Sequence, residues 1–179
     1  MTRQEKALKL GMKFIWAGEE VIRRTFNVKR YEIPRLTVRT FLKALTGLGS
    51  DTISLSDSKY YATGWEHWRD IIWYDLIDQR KYQDDYFDCD NFAMSYAARA
   101  AHLYKLNTCG VAYGTIYSNK TGNRLGRHAF NIIVAREEDH TELYCYEPMT
   151  DGFAKIEKGQ PIELAKPNWR YEPDWVLMF

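Results

Sequence analysis

The stretch YFDCDNFA at residues 86–93 decides how the rest of the sequence is interpreted, because it places Cys89 where a helix is expected to begin. Apolar residues recur at spacings of three and four from Phe92 to Leu103, which predicts a helix from about Cys89 to Tyr104. Unpaired amides and the positive dipole end at a helix start favour a thiolate over a thiol. Cys89 is therefore a candidate nucleophile, and a small apolar core residue is the alternative.

The sequence that follows this helix changes to short β-rich runs. These runs are residues 110–117, 128–136, 142–147 and 175–179. Turn-forming residues at 120–123 and 137–140 separate the first three runs, as antiparallel hairpins require.

A histidine and a glutamate lie at the ends of two of these strands. If a turn is centred near residues 137–140, antiparallel pairing sets His128 opposite roughly residues 147–151, so that Glu147 can lie beside it. A thiol, an imidazole and a carboxylate form the nucleophile, base and orienter of acyl-transfer enzymes. The alternatives are a structural strand histidine and a surface glutamate.

The residues before Cys89 predict helices. Apolar spacing predicts one helix over about Arg3–Phe26 that caps the core, a second over Thr37–Leu48 and a third between Gly64 and Gln79. The tryptophans of the third helix lie on one face, which favours core packing over carbohydrate stacking. Helices followed by a strand meander predict the α+β class, with a central helix packed on a small antiparallel sheet.

Composition limits the classes of partner. The chain has 179 residues, which suits one domain, and its net charge of +1 gives no reason to expect nucleic acid. Three cysteines without close pairs predict at least one free thiol. The absence of a signal or spanning segment predicts no membrane partner and a protein that is either cytoplasmic or of unknown compartment. Residues 1–60 hold 12 Lys/Arg against 6 Asp/Glu. A solvated helix face is favoured there over an acidic partner or a membrane surface.

Three local strings, DCDNFA, HAFNIIV and YEP, carry a resemblance to a known family. Their order and spacing over residues 83–150 resemble the papain-like and transglutaminase-like cysteine peptidase superfamily. The sequence looks most like the peptidase domain that follows the sugar-binding domain in some fungal agglutinins, and like bacterial transglutaminase-like peptidases. The resemblance implies a papain-like fold over residues 1–179, with an N-terminal extension at 1–60 and a catalytic core at 61–179.

The resemblance also assigns roles to individual residues. It implies Cys89 as the nucleophile, His128 as the general base and acid, and Glu147 as the group that orients the imidazole. Gln83 precedes the cysteine at the spacing of the papain-like oxyanion glutamine, although the intervening small residues of that pattern are missing. Gln79 and the backbone amide of Cys89 are the other donors considered.

Acidic residues cluster just before the predicted nucleophile. Clustered carboxylates suit calcium, and the agglutinin-type peptidases resembled here are calcium-activated. The ligands predicted for calcium are Asp84, Asp85, Asp88 and Asp90. A solvated acidic surface, or a field that attracts a basic peptide, explains the same cluster, and the chemistry itself requires no cofactor.

The function expected from the sequence is hydrolysis of a peptide or related amide bond in a peptide or protein substrate, through a thioacyl intermediate on Cys89. Transglutaminase-like acyl transfer and a cell-wall peptide amidase are alternatives with the same residues. A catalytically inactive binding module of the same fold is the alternative from a different class.

Overall fold

Helices and strands alternate along the computed structural model, which describes residues 2–179. The α-helices are α1 (Arg3–Thr25), α2 (Arg35–Thr46), α3 (Trp65–Tyr74) and α4 (Cys89–Arg99), and a π-helical turn over Ala100–Tyr104 continues α4. The strands are β1 (Tyr31–Pro34), β2 (Ile53–Leu55), β3 (Lys59–Ala62), β4 (Cys109–Ser118), β5 (Arg124–Glu137), β6 (His140–Glu147), β7 (Gly152–Lys155), β8 (Ile162–Leu164) and β9 (Trp169–Met178). Single 3-10 turns lie at Ser50–Thr52 and Ile77–Gln79.

The main sheet has seven strands in the order β2-β9-β4-β5-β6-β7, with β8 paired to the other half of β9. All of its pairs are antiparallel except β2 with β9, where Ile53 pairs with Val176. A separate two-stranded ribbon joins β1 and β3. The last strand of the chain therefore lies inside the sheet, between strands from both halves of the sequence.

The alternation of side chains along β5 divides the core into two layers. Phe130 and Ile132 point into one cluster, which also contains buried residues of α2, β1 and β3. Ala129 and Ile133 point into the other, which contains the buried faces of α3 and α4. Because successive residues of a strand face opposite sides, one strand stabilises both layers.

Asn131 fixes the position of α4 against the sheet. Its side-chain amide is fully buried and donates to the carbonyl oxygens of Ala93 in α4, at 2.9 Å, and of Gly110 in β4, at 3.0 Å. A buried amide that bridges two elements holds both of them in register, because a displacement of either one leaves a polar group unpaired.

The last strand approaches β4 closely opposite His128. Gly114 pairs with His128, and a β-carbon at Gly114 would lie 2.2 Å from the backbone oxygen of Glu172 in β9. No side chain larger than hydrogen fits at this contact, so the glycine lets β9 pack closely on β4, the strand next to the one that carries the histidine.

Most of the predicted elements are found, with shifted ends. The helix predicted from about Cys89 to Tyr104 is confirmed, and both predicted hairpins form with the expected turns. The third helix, predicted between Gly64 and Gln79, ends at Tyr74, and Leu76 beyond it is exposed. Trp68 is fully buried, and Trp65 stacks on Tyr144. Both tryptophans therefore pack against other residues of the protein, as predicted.

The predicted fold class is wrong in two respects. The sheet is not a small antiparallel meander but a mixed sheet of seven strands, and the half predicted as helical contains β1, β2 and β3. The papain-like description is not supported by the solved structures with this fold, described below. Local periodicity missed β2 because its three residues pair only with β9, far away in the sequence.

The first helix does not cap the core. Every described side chain from Gln4 to Gly18 is exposed, and only the end of α1 near Ile22, followed by Phe26, packs against the core cluster of α3 and α4. The described residues contain no helix that is both long and apolar enough to cross a membrane. The division at residue 60 stays a prediction, although α2 and β2 contribute to the same core as the later strands.

Replacing Asn131 with alanine should lower the free energy of unfolding by about 2 kcal/mol, because two hydrogen bonds are lost and a cavity forms between α4 and the sheet. Chemical denaturation measures the change. Asn123→Ala, in the exposed turn between β4 and β5, is the matched control and should change it by less than about 0.5 kcal/mol. Equal effects of the two substitutions would show that Asn131 does not hold α4 in place.

Candidate functional site

The first residue of α4 is Cys89, as the sequence predicts. Asp88 is the N-cap residue, and its backbone amide donates to the side-chain oxygen of Asn91 at 3.3 Å. Phe87 and Phe92 pack edge to face beside the thiol, with ring centroids 4.6 Å apart. The helix start thus presents a half-buried thiol together with free backbone amides and the positive end of a dipole.

The predicted pairing of His128 with Glu147 is present. Nε2 of His128 lies 2.6 Å from Oε2 of Glu147, and both side chains are buried, with 8% and 0% of their surfaces exposed. The register that brings them together is the one expected from the turn, since Asn131 pairs with Tyr146 at the end of the β5–β6 ladder.

Glu147 has hydrogen-bond donors on both carboxylate oxygens. Oε2 also accepts from the hydroxyl of Tyr171 at 2.9 Å, and Oε1 accepts from the backbone amide of Met149 at 3.2 Å. Burial raises the pKa of Tyr171, and the adjacent carboxylate raises it further, so the phenol keeps its proton and remains a donor. A fully buried carboxylate needs such partners, because an unpaired charge in the interior is strongly destabilising.

The imidazole connects the carboxylate to the thiol. Burial lowers the pKa of His128, but hydrogen bonds to Cys89 and Glu147, and the negative charge of these groups, outweigh this effect and raise it to about 9. Because Nε2 is occupied by Glu147, Nδ1 is the ring nitrogen left to face the sulfur. The three predicted residues therefore meet, with the histidine between the other two.

Two aromatic residues of β9 complete the surroundings of the imidazole, and the sequence did not predict either. The ring of Trp169 meets His128 edge to face at 5.4 Å, and Tyr171 lies 6.2 Å away. Trp169 to Met178 forms one strand, whereas the sequence predicts a strand only from Trp175. Apolar residues at alternate positions around Tyr171 were the sequence signal available for this strand. The charged residues and Pro173 that lie among these apolar residues obscured the pattern.

The other two cysteines are core residues. Cys109 and Cys145 are buried, and burial raises the pKa of both thiols well above the ordinary value. The prediction that Cys145 is a core residue is therefore confirmed. Of the three thiols, Cys89 is the accessible one.

The predicted oxyanion glutamines are both exposed. Gln83 forms an isolated backbone bridge with Phe87, which closes a small loop before α4. The side chain of Gln79 donates to Asp78 at 2.7 Å. Neither glutamine has a contact with Cys89 among the described residues, so an oxyanion role for Gln83 stays a prediction.

The four predicted calcium ligands do not converge. Asp84 and Asp85 are exposed. Asp88 caps α4 and also makes a side-chain hydrogen bond with Asp90, which raises the pKa of Asp90. Across residues 2–179, no three side chains of His, Cys, Asp or Glu are grouped so as to hold a metal ion. The positions of these carboxylates give no support to calcium binding, so the calcium site stays a prediction, and no step is assigned to it. A calcium titration of the thermal unfolding temperature tests it.

A family model covers the residues that form this site. The model described as "Agglutinin C-terminal" matches residues 61–153, which contain Cys89, His128 and Glu147. The chain belongs to the Agglutinin C-terminal family. No curated protein sequence matches the chain. The family match begins in β3 and ends in β7, so β9 with Tyr171 lies beyond it.

Solved structures share the fold of this Agglutinin C-terminal chain. One is described as the PSL1a-E64 complex, with a TM-score of 0.57, 19% identity, and coverage of 82% of this chain and 51% of that one. Another is a lectin from Polyporus squamosus bound to the human-type influenza-binding epitope Neu5Aca2-6Galb1-4GlcNAc, with a TM-score of 0.57, 18% identity, and coverage of 82% and 49%. The chain spans about half the length of these proteins.

These findings correct the expected family and activity. The likeness to the domain that follows the sugar-binding domain of agglutinins agrees with the family match. The assignment to the papain-like or transglutaminase-like cysteine peptidase superfamily is wrong, because the matching family is described as agglutinin C-terminal and a solved structure with the same fold is a lectin. The expectation of an enzyme, a hydrolase of the thiol protease type, is wrong on the same findings. Of the expected functions, the binding module is the one that these comparisons leave in place.

The raised pKa of His128 predicts a pH dependence of stability. In the unfolded chain the histidine has an ordinary pKa of about 6.5, whereas in the folded chain it is about 9. The protonated histidine therefore stabilises the fold fully below about pH 6.5, and this contribution, at most roughly 3 kcal/mol, is lost as the pH rises through 9. The unfolding temperature should fall over this interval.

A His128→Asn variant cannot gain the proton and should show a smaller fall over the same pH interval. Thermal unfolding of the two proteins in parallel measures the difference. His140→Asn, an exposed histidine of β6, is the control and should behave as the unsubstituted protein. Parallel pH curves for all three proteins would contradict the proposed protonation of His128.

Proposed function

We propose that this domain is a ligand-binding module in which the ligand is held at a nucleophilic thiol, Cys89. The observation that carries the proposal is the hydrogen-bonded series of Cys89, His128 and buried Glu147, with 2.6 Å between the last two. The sulfur of Cys89 captures the ligand, and no turnover is proposed.

The arrangement supports thiol reactivity through charge and position. A protonated imidazole beside the sulfur, together with the amides at the start of α4, stabilises negative charge on the sulfur. Glu147 keeps the imidazole protonated and oriented, because one of its oxygens binds the ring and the other is held by Met149. A half-buried thiol in this setting attacks electrophilic carbon faster than a free cysteine does.

The relatives support ligand binding in general. The description of PSL1a names a complex with E64, and that of the Polyporus squamosus lectin names a glycan. Each of these proteins is about twice as long as the matching region, so the part that binds each ligand is not given by the likeness. E64 serves as a probe of the thiol in the experiment described below.

Alkylation by iodoacetamide tests the proposal directly. The sulfur of Cys89 forms a bond to the methylene carbon, the carbon–iodine bond breaks, and iodide leaves. Cys89 should be labelled at least about tenfold faster than Cys109 and Cys145, because the other two thiols are buried and protonated. Peptide mapping by mass spectrometry at several times gives the three rates. Equal rates in the folded protein would overturn the proposal.

Two variants separate activation from accessibility. His128→Asn should slow the labelling of Cys89 about tenfold near pH 7, because the imidazole beside the sulfur is lost. His140→Asn, on the exposed end of β6, should leave the rate unchanged. An unaltered rate in His128→Asn would show that the imidazole does not activate the sulfur.

E64 then tests whether the thiol site holds a larger ligand. The sulfur of Cys89 forms a bond to a carbon of the epoxide ring of E64, the carbon–oxygen bond of the ring breaks, and the ring oxygen takes up a proton. No atom leaves, so the unsubstituted protein should gain the mass of one E64 molecule, and Cys89→Ser should gain none. Addition to Cys89→Ser would place binding elsewhere and contradict the assignment of the site.

Glycan recognition is a second candidate, favoured by the glycan named for the Polyporus squamosus lectin. Tyr82 and Tyr86, in the loop before α4, are exposed aromatic residues of the kind that pack against sugar rings. Titration with the named trisaccharide, followed by tyrosine and tryptophan fluorescence, should give a saturable change that Tyr86→Ser removes. No change with the unsubstituted protein would exclude this candidate.

A further inference from the structure

The exposed part of α1 carries an apolar surface that the site does not use. All described side chains from Gln4 to Gly18 are exposed, over a length of about 20 Å. Six large apolar side chains lie on it, each between 48% and 71% exposed: Leu8, Leu10, Met12, Phe14, Ile15 and Trp16. A globular protein rarely leaves such a continuous apolar surface in water unless something covers it.

Charged and apolar residues lie on opposite sides of this helix. With 100° per residue, Leu10, Phe14, Ile15, Leu8 and Met12 fall within an arc of roughly 200°. Lys6, Lys9 and Lys13 fall within an arc of roughly 60° on the opposite side, where each lysine is exposed.

Trp16 lies at the boundary between these two faces. An aromatic ring with a polar N–H is suited to such a boundary, because its apolar body and its donor face different surroundings. The only acidic residue between Gln4 and Gly18 is Glu5, which takes part in the capping box with Thr2 at the start of the helix.

The geometry points to a surface of anionic lipid as the partner of this helix. A wide apolar face, a polar face rich in lysine and a boundary tryptophan are the features of helices that lie in the plane of a membrane interface. The basic strip complements the negative charge of such a surface. No bilayer-spanning segment is needed for this mode, so the absence of a spanning helix among the described residues is compatible with it.

A second copy of the chain fits this helix less well. Two-helix pairing uses a narrow apolar stripe, so roughly half of the 200° arc would stay in water. A lipid surface takes up the whole arc, and its negative charge attracts the lysines on the other side of the helix at longer range.

The other end of α1 explains how the helix is presented. Ile22 and Phe26 pack on the core, and Glu19 lies 3.4 Å from His102 in the π-helical turn. Arg23 and Arg24 both pair with Glu20, so the charges of this inner end are satisfied within the protein. The fold therefore anchors one end of the helix and leaves the apolar end free.

Vesicle co-sedimentation of the full chain tests the inference. The protein should bind vesicles that contain 30% phosphatidylglycerol in phosphatidylcholine and should bind pure phosphatidylcholine much more weakly. Replacing Lys6, Lys9 and Lys13 together with glutamine should reduce the partition coefficient about 100-fold. The control replaces Lys120, Lys158 and Lys166, three exposed lysines of the body, and should leave binding unchanged.

The apolar face is tested by Leu10→Ser combined with Phe14→Ser, which should abolish vesicle binding. Helicity by circular dichroism and the labelling rate of Cys89 should be unchanged in both variants, because these residues do not contact the core. Equal binding to neutral and anionic vesicles, no vesicle binding, or lipid-free dimers that the serine variant dissociates in sedimentation velocity would each overturn the inference.

Discussion

The buried carboxylate of Glu147 is the constraint on which the site depends. It is fully inaccessible to water and is held by the imidazole of His128, the hydroxyl of Tyr171 and the amide of Met149. An interior charge without such partners costs several kcal/mol, so three separate parts of the chain must reach this point. The carboxylate therefore sets the relative positions of β5, β9 and the turn after β6, as well as the chemistry of the histidine.

The position of the thiol follows from a second buried polar group. Asn131 lies three residues after His128 on β5 and donates to α4 and to β4. Cys89 is at the start of α4, so the same strand that carries the imidazole also fixes the helix that carries the sulfur. Gly114 lets β9 approach β4, the neighbour of this strand, and without that approach Tyr171 could not reach Glu147. The geometry of the site therefore depends on the register of the strands in the sheet and not on a single loop.

The sequence predicted those parts of the site that depend on local structure. Cys89 was placed by a helix start, and His128 and Glu147 by one hairpin whose turn is visible in the sequence. Tyr171 was missed because its contact with Glu147 requires β9 to lie beside β4, a pairing that no local pattern specifies. The pairing of β2 with β9 was missed for the same reason. Gln83 was placed by resemblance alone, and its exposed position gives that prediction no support.

The free end of α1 and the thiol site are physically independent. The π-helical turn that contacts α1 begins eleven residues after Cys89, at the opposite end of the same helical segment, which corresponds to more than about 15 Å. Among residues 2–179, Ile22, Phe26 and the Glu19–His102 contact connect α1 to this end. Its capping box and internal ion pairs stabilise the helix without help from the core. Apolar residues on α1 that contribute nothing to the core need another physical reason to be there, and a surface that takes up such residues supplies one.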